Sequence, residues 1–212
     1  MKKIKALDAI YRHFEERDPL LFSVISAMPL ELLKREAKDD RYFSKLCREI
    51  ISQQLGSKAA SAIVGRFYAL FPDGHATPQQ VLKHPEGELR AIGMSWAKAR
   101  YVRDLADKVA VGAIYLPALP AMDDERAIAE LTKIKGIGRW TAEMFLMFTL
   151  GREDIFSFGD LGLQKGLAMI YGKRKTATPQ AVARITGIWA PYRSYGSLAV
   201  WHVADDAKKK PS

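Results

Sequence analysis

The amino-acid sequence predicts an all-α protein, and three observations support this fold class. Apolar residues recur at three- and four-residue spacing along most of the chain, which is the pattern of amphipathic helices. No stretch alternates for long with the two-residue period of a strand. With 212 residues, of which 48% are apolar, the chain can bury a sizeable core. We therefore expect one or two domains built from about ten helices joined by short loops.

Three helices are predicted in the first half of the chain. In the first of them, "YFSKLCREIISQQ", the apolar face consists of Phe43, Leu46, Cys47, Ile50 and Ile51. The second helix follows Gly56, with Ser57 as its N-cap and Pro72 as its stop. The third, "SWAKARYVRDLADKVAVG", begins after the N-cap Ser95 and ends at Gly112.

A Pro-rich connector, "YLPALPAMDDE", leads into four further predicted helices. The acidic start of "DERAIAELTKI" suits the positive end of a helix dipole. The segment "TAEMFLMFTLG" is apolar on every side and predicts a central, buried helix. Asp160 is a natural N-cap for "DLGLQKGLAMIYG", and Pro191 stands at or near the first turn of the last helix.

Charge and cysteine content narrow the class of function. The formal net charge of +9 and a pI near 9.6 favour a polyanionic partner, because Lys and Arg attract phosphates. One cysteine, Cys47, excludes an internal disulfide and a cysteine-held cluster, which fits a reducing compartment. The first residues, "MKKIKALDAIYRHFEE", lack the apolar region of a signal peptide, and no window approaches the roughly 20 apolar residues of a membrane span.

The segment "IKGIGRWTA", residues 134–142, places two glycines directly before the apolar run. A turn of this kind exposes backbone N–H groups at the start of the following helix, where they can hold a phosphate. Glycine permits both the tight turn and the close approach of a DNA backbone. Lys135 and Arg139 add positive charge on either side. An ordinary helix–helix corner with a glycine C-cap is the alternative for this segment taken alone.

Four blocks in order resemble the helix-hairpin-helix DNA glycosylases, in particular the AlkA-like 3-methyladenine DNA glycosylase II group. The hairpin motif L-x-x-I-x-G-I-G is matched by Leu131, Ile134, Gly136, Ile137 and Gly138, and Asp160 falls at the position of the family's catalytic aspartate. The other blocks are "REIISQQLGSKAA", "LRAIGMSWAKARYVRDLA" and "WAPYRSYGSLAVW". The resemblance spans about residues 40–205, and the combination of blocks is far more specific than a lone glycine motif.

The resemblance implies a two-lobed helix-hairpin-helix glycosylase fold with the active site in the cleft between the lobes. Residues 40–140 would form a helical bundle that carries the hairpin. Residues 1–39 and 141–212 would form a second helical lobe that carries the catalytic aspartate.

The resemblance also implies hydrolysis of the N-glycosidic bond of a damaged base that is flipped out of duplex DNA. Asp160 would stabilise the positive charge that builds on the sugar and would orient or deprotonate water. A helix N-cap is its alternative role, and the two roles are compatible because the helix dipole favours a negative charge there. A purine methylated at N3 or N7, such as 3-methyladenine or 7-methylguanine, is already cationic and leaves without a general acid.

Aromatic faces attract a flat cation by stacking, so the family's base pocket is expected to contain aromatic residues. Trp140 and Trp189 match its positions, Tyr192 lies in the same C-terminal block as Trp189, and Met144 follows Trp140 by one turn. Core packing is the alternative for each of the four.

Trp140 also decides between two kinds of glycosylase. In the bifunctional relatives, a lysine at this position attacks the sugar and leads to strand cleavage. A tryptophan has no amine for that attack. We therefore predict a monofunctional enzyme, without lyase activity, that leaves an abasic site.

A flipped base leaves a gap in the stack, which an inserted side chain commonly fills. Gln53, Gln54 and Leu55 are the wedge candidates, with no choice made among them, and a glutamine bonded to a neighbouring loop is the alternative. The DNA-binding residues that the resemblance implies are Gln53, Gln54, Leu55, Lys135, Gly136, Ile137, Gly138, Arg139 and Thr141.

The expected partner is double-stranded DNA containing damaged bases, bound by a monomer that does not contact membranes. The four histidines show no metal-ligand spacing, so we expect neither a metal nor a cofactor. The expected location is the cytoplasm, at the nucleoid, in a bacterium or archaeon, and the nucleus in a eukaryote. Two other functions stay open: a glycosylase for deaminated or mismatched bases, and a helix-hairpin-helix protein that binds DNA without catalysis.

Overall fold

The computed structural model describes residues 2–36 and 39–209, and the secondary structure in these residues is helical throughout. The prediction of an all-α protein is confirmed. The helices are, in chain order, α1 (Lys2–Arg17), α2 (Pro19–Ile25), α3 (Arg41–Ser52), α4 (Ser57–Tyr68), α5 (Pro78–Leu82), α6 (Glu86–Ala91), α7 (Trp96–Ala110), a 3₁₀ helix (Leu116–Ala121), α8 (Asp124–Leu131), α9 (Arg139–Phe148), α10 (Leu161–Tyr171), α11 (Pro179–Gly187) and α12 (Arg193–Lys209).

The chain folds into two compact units. Unit 1 consists of Met1–Lys34 and Gly151–Ser212, and unit 2 consists of Arg35–Leu150. Unit 1 therefore contains α1, α2 and α10 to α12, and unit 2 contains α3 to α9 with the 3₁₀ helix. In the described part of the chain, no helix combines the length and the apolar character that crossing a bilayer requires.

The core of unit 1 surrounds one buried carboxylate, that of Asp18. As the N-cap of α2 it accepts a hydrogen bond from the N–H of Leu21 at 3.2 Å. Its other oxygen accepts from the Tyr171 hydroxyl at 2.5 Å and from the indole Nε1 of Trp189 at 2.8 Å. A buried carboxylate is stable only when it is hydrogen-bonded. This network therefore holds together the three segments that contain Asp18, Tyr171 and Trp189.

The packing of α10 on α12 depends on a glycine. A Cβ built on Gly166 would lie 2.3 Å from the carbonyl oxygen of Val200, inside the contact distance of any real side chain. Only glycine lets the two helices approach so closely at this point. The pair lies in the same core as Leu163, Leu167 and Tyr195.

In unit 2, α3 occupies the centre and packs against α4, α7 and α9. Its predicted apolar face is buried, and the ammonium of Lys98 on α7 closes its C-terminal end by donating to the carbonyl oxygens of Ile51 at 2.8 Å and Gln53 at 2.6 Å. Helix α9 is buried from Thr141 to Met147, so the prediction of a central, buried helix is confirmed.

The caps of several helices follow from local sequence. Ser95 and Asp160 accept hydrogen bonds from the backbone N–H groups of Lys98 and Leu163, as predicted. Ser57 is not an N-cap: the extended residue before α4 is Gly56, which makes Ser57 the first helical residue. The Pro-rich connector contains the 3₁₀ helix, and Pro191 precedes α12 by two residues.

Candidate functional site

The turn between α8 and α9 is held in place by its glycine and two buried isoleucines. Gly136 has a φ of +83°, a conformation that L side chains rarely adopt. A Cβ built at this position would lie 2.2 Å from the ring of Tyr101, so the backbone rests directly on that ring. The N–H groups of Ile134 and Ile137 donate at 3.1 Å to the carbonyl oxygens of Leu131 and Ile134. These contacts therefore fix the conformation of the turn and the position at which α9 begins.

The first turn of α9 has no side-chain cap. Its N-cap is Gly138, and a Cβ built there would meet nothing within 4 Å. The start of the helix is thus open to close approach by another backbone. The aligned N–H groups and the helix dipole give this end a positive potential.

The two cations that flank the turn differ in their surroundings. The side chain of Lys135 is 75% exposed, and its Nζ lies 3.7 Å from the Oδ1 of Asp104. Burial raises the pKa of Asp104, but hydrogen bonds from the Lys108 ammonium and from the backbone N–H of Lys135 outweigh it, so the net pKa lies below its ordinary value. Asp104 is therefore a fixed negative charge that ties the turn to α7.

Arg139 is engaged by carboxylates on both sides of the hairpin. Its guanidinium donates to both oxygens of Glu125 at 2.9 and 2.5 Å, and its Nε donates to Glu143 at 2.9 Å. The hydrogen bonds that it donates to Glu125 raise the pKa of Arg139 further, so it stays charged. Arg139 thus joins α8 to α9 in this structure, and its role in binding a phosphate stays a prediction.

The loop between α3 and α4 is fastened to the hairpin by Gln53. The side-chain amide of Gln53 donates to the carbonyl oxygen of Gly136 at 2.8 Å and to the hydroxyl of Thr141 at 3.2 Å. Gln53 is thus bonded to a neighbouring loop, which is the alternative to a wedge that the sequence left open. Thr141, predicted to bind DNA, is itself 5% exposed and serves this internal link.

Gln54 carries the conformational strain of the site. It is the one non-glycine residue with a positive φ, +57°, in the described part of the chain. Such a conformation costs energy and clusters at functional sites. Gln54 is exposed, and so is Leu55, with 36% of its surface accessible. The structure thus places two of the three wedge candidates outside the packed core.

A cavity of about 390 Å³ lies beside this loop within unit 2. Trp140 forms part of its wall, with 44% of the residue exposed. The volume falls within the range of small-molecule sites, about 300–1,000 Å³. The residues that line the cavity are Glu49, Ser52, Gln53, Gln54, Leu55, Trp140 and Thr141. Met144 is not among them and is 6% exposed, so the structure gives it a core position instead of the pocket position.

Asp160 is held by two donors in unit 1. Its Oδ1 accepts a hydrogen bond from the N–H of Leu163 at 2.7 Å and from the indole Nε1 of Trp201 at 3.0 Å. Gly162 leaves room for this arrangement, since a Cβ there would lie 3.0 Å from the same oxygen. The carboxylate is half-buried at the N-terminus of α10, where the helix dipole also favours its charge.

Trp189 does not line an accessible pocket in this structure, which corrects the sequence prediction. It is fully buried in the core of unit 1, where its ring packs against Phe14 and Phe156 and its Nε1 is bonded to Asp18. Tyr192 is half-buried, and its ring centre lies 5.2 Å from that of His13. The hydrogen bond to the buried carboxylate of Asp18 holds this indole in the core. No local sequence pattern could have indicated that contact.

Sequence reasoning missed two residues that the structure brings to these places. Trp201 lies in the last of the four blocks, and it positions Asp160. Glu49 lies on α3 four residues before the C-cap Gln53, and both residues line the cavity. That spacing was the available signal for Glu49.

Comparison with known proteins gives consistent results. A family model described as "HhH-GPD superfamily base excision DNA repair protein" matches residues 47–191. The DNA-3-methyladenine glycosylase 1 of Schizosaccharomyces pombe is 34% identical over a region covering 75% of this chain and 71% of that relative.

Two solved structures are similar to the whole described fold. The crystal structure of a DNA-3-methyladenine glycosidase from Bacillus halodurans has a TM-score of 0.78 and 34% identity, covering 93% of this chain and 89% of that chain. A 3-methyladenine DNA glycosylase of Schizosaccharomyces pombe, solved in complex with abasic DNA, has a TM-score of 0.78 and 27% identity, covering 96% and 100%.

Proposed function

Because this chain belongs to the HhH-GPD superfamily of base excision DNA repair proteins, we propose that it is a monofunctional DNA glycosylase for alkylated purines. It hydrolyses the N-glycosidic bond of bases of the 3-methyladenine and 7-methylguanine type in duplex DNA. The names of the similar proteins support this substrate class. The structural observation that carries the proposal is Asp160, fixed by two N–H donors at the position of the family's catalytic aspartate.

Asp160 supplies the charge that the reaction needs. As the bond from the sugar to the base breaks, positive charge builds on the sugar ring. The donors from Leu163 and Trp201 orient the carboxylate before the reaction, so it needs no rearrangement to stabilise that charge. The same carboxylate orients the attacking water and accepts its proton.

Trp140 defines both the product and the base preference. An indole cannot form a Schiff base with the sugar, so the reaction ends at an abasic site and the strand stays intact. The exposed ring lies in the wall of a cavity and offers a π face for stacking. A cationic purine gains cation–π attraction on such a face that an uncharged base lacks.

Contact with the DNA backbone is proposed for the hairpin. The open start of α9, the unfilled space at Gly138 and the exposed ammonium of Lys135 suit a phosphate. Gln54 and Leu55 are proposed to enter the base stack, because both are exposed at a strained turn next to the cavity. Binding as a monomer and the location in the cell stay predictions.

The proposal is tested by base release from methylated duplex DNA, analysed by chromatography, with the Asp160→Asn variant beside the wild type. Asparagine can still cap α10 and accept from Trp201, so the fold and DNA binding are kept. We expect the wild type to release 3-methyladenine or 7-methylguanine and the variant to lose this by about 100-fold or more. The control is Asp205→Asn, at an exposed carboxylate on α12.

Three results would each contradict part of the proposal. If the wild type binds DNA but releases no alkylated base, the protein is a binding module or acts on another lesion. If Asp160→Asn releases bases as fast as the wild type, the catalytic carboxylate lies elsewhere. Strand cleavage without added base would contradict the monofunctional assignment.

A further inference from the structure

Positively charged side chains form a stripe along α3 that the proposed function does not use. Arg41, Lys45 and Arg48 follow one another at spacings of four and three residues, which places them on one side of the helix. The stripe spans about 10 Å along the helix axis. The apolar face of α3 is buried in unit 2, and both arginines are exposed. The stripe is therefore the outward face of the central helix of this unit.

Two of the three cations contact no carboxylate. Within the described residues, the guanidinium groups of Arg41 and Arg48 make neither a hydrogen bond nor an ion pair. Lys45 forms one ion pair, with Glu36 at 3.6 Å. Like charges at this spacing repel one another, so the stripe destabilises the free protein slightly and favours a bound anion.

The stripe forms one wall of a groove between α3 and α4. All three cations line a cavity of about 260 Å³ at one end of the groove. A second cavity, of about 590 Å³, extends to the loop between the two helices. Arg48 and Tyr68 line both cavities, so the two adjoin.

The wall opposite the stripe leaves room for a polymer backbone. It is made by small residues of α4, namely Ser57, Ala60, Ser61 and Gly65. A Cβ built on Gly65 would meet nothing within 4 Å, so the space beside α4 is open. The hydroxyls of Ser57 and Ser61 can donate to phosphate oxygens. The groove thus has cations on one wall and hydroxyl donors on the other.

The loop between α3 and α4 separates this groove from the cavity that contains Trp140. Ser52 and Leu55 line both spaces, so they lie on the ridge between them. Trp140 belongs to the first turn of α9 and therefore marks the hairpin side of the ridge. A duplex that receives Leu55 in its stack has one strand on each side of that side chain. The strand whose base turns toward Trp140 lies on the hairpin side, and the opposite strand meets the groove.

We propose that the groove between α3 and α4 binds the phosphates of the DNA strand opposite the damaged base, with Arg48 as the central contact. The inference rests on the proposed glycosylase function, because it uses the position of Leu55 in the stack. One strand carries a phosphate for about every 3.4 Å of duplex axis, so the stripe can face about three phosphates. Arg48 is the cation of the stripe that lies closest in the chain to the loop, and a guanidinium can bind two oxygens of one phosphate.

A grip on the opposite strand has a physical purpose in base flipping. Extruding a base breaks its pair and its stacking, which costs a few kcal/mol. Phosphate contacts fix the register of a protein on a duplex and do not depend on the base. The groove would hold the duplex while one base is outside the stack. Its loss should therefore lower the affinity for duplex DNA and leave the cleavage step unchanged.

The test measures the Kd for a short duplex with a stable tetrahydrofuran abasic site, and for the same lesion strand alone. The proteins are the wild type, Arg48→Gln and the control Lys83→Gln, which removes an exposed cation of unit 2 that lines neither cavity. We expect Arg48→Gln to bind the duplex about 10-fold more weakly, with the slope of log Kd against log salt reduced by about one. Binding of the single strand should change less than about twofold, and the control should match the wild type in both measurements.

Neutral methylphosphonate linkages then locate the contact. They are placed one at a time along the strand opposite the abasic site. At one or two positions, the neutral linkage should weaken binding by the wild type and leave the affinity of Arg48→Gln unchanged. The two changes remove the same contact, so their effects do not add. Lys83→Gln should respond to every linkage as the wild type does.

Two further measurements separate this role from a structural one. Urea unfolding should show Arg48→Gln to be at least as stable as the wild type, because the change removes one of three like charges from α3. Single-turnover release of 7-methylguanine at saturating protein should change less than about twofold, because the groove does not contact the reacting base. A variant that had merely lost structure would fail in both measurements.

Several results would overturn the proposal. Arg48→Gln could bind the duplex as tightly as the wild type, or lose no more affinity than Lys83→Gln. The linkages that cancel its effect could lie in the lesion strand. Arg48→Gln could also weaken binding of an oligoglutamate peptide and of no duplex, in which case the groove takes an acidic protein segment.

Failure of the proposed function gives a different result. The binding measurements use an abasic duplex and need no catalysis. A wild type that releases no alkylated base, but loses duplex affinity on Arg48→Gln as expected, would overturn the glycosylase assignment and support the groove.

Discussion

At the scale of single residues, two carboxyl groups differ in what surrounds them. Asp160 accepts two hydrogen bonds from N–H groups at a helix N-terminus, which stabilise a negative charge. Glu49 accepts none within the described residues, and burial opposes its negative charge. The surroundings of Glu49 therefore favour its protonated form, whereas the two N–H donors at Asp160 hold its carboxylate in a fixed orientation.

The hydrogen bond from Trp201 to Asp160 predicts a positioning role for this indole. Trp201→Phe keeps the ring but removes the donor, so we expect base release to fall about 10- to 100-fold, the effect of one hydrogen bond to a charged group. DNA affinity should stay unchanged. Single-turnover kinetics and a binding assay check this, with Trp96→Phe, at an exposed position in unit 2, as the control. An equal loss of affinity, or full activity, would refute the role.

Glu49 also predicts a dependence of stability on pH. Its pKa is raised from 4.5 in the folded state, so the folded protein holds more protons than the unfolded chain above that pH. Stability contributed at low pH is therefore lost as the pH rises through the raised pKa. We expect Glu49→Gln to be more stable than the wild type at pH 7, with the difference shrinking toward pH 4. Urea unfolding at both pH values measures it, and a difference that grows toward pH 4 would contradict the sign.

At the scale of elements, the hairpin has two positions that are occupied by glycine for different reasons. Gly136→Ala meets both a positive φ and the ring of Tyr101, so we expect about 2–4 kcal/mol of destabilisation from strain and overpacking. Gly138→Ala meets neither, so its free energy of unfolding should stay near the wild type. Its added methyl group should still weaken DNA binding by blocking the approach of a phosphate. Denaturant unfolding and DNA titration separate the two effects.

The comparison of these two variants tests the hairpin as the DNA-binding element. If Gly138→Ala binds DNA as tightly as the wild type, the start of α9 does not meet the backbone. If Gly136→Ala is as stable as the wild type, the contact with Tyr101 does not determine the turn.

Sequence patterns predicted the helix caps and the buried helix faces that depend on residues close together in the chain. Ser95 and Asp160 cap helices three residues ahead, and the apolar run of α9 was sufficient to predict its burial. Ser57 failed as a cap because the backbone of Gly56 already takes the extended conformation that precedes α4. A helix start depends on which residue is extended, and composition alone does not decide between adjacent candidates.

The contacts that the sequence did not predict involve residues from other segments of the chain. Trp189 is drawn into the core by Asp18, which lies 171 residues away in the chain. Gln53 is bonded to the carbonyl oxygen of Gly136, 83 residues away, and Arg139 to Glu125 across the hairpin. No pattern within one segment encodes such pairings, so the sequence could name these residues but not their contacts.

At the scale of the whole molecule, unit 2 is a continuous segment placed between the two parts of unit 1. The core of unit 1 joins residues from both ends: Phe14 packs against Trp189, and α2 contacts α10 and α12. Its two parts are separated by the entire hairpin-bearing unit. The core of unit 2 can therefore be completed before the core of unit 1, although unit 1 contains the first residues of the chain.

This arrangement has a consequence during translation. Unit 2 can close as soon as its own residues have left the ribosome, whereas α1 and α2 must wait for α10 and α12 with Phe14 and Leu21 uncovered. Asp160 belongs to the part that is made last. A nascent chain halted near Leu150 already carries the hairpin and lacks the aspartate. Because Trp201 follows Asp160 by 41 residues, the hydrogen bond that orients this carboxylate forms only after the segment up to Trp201 has been made.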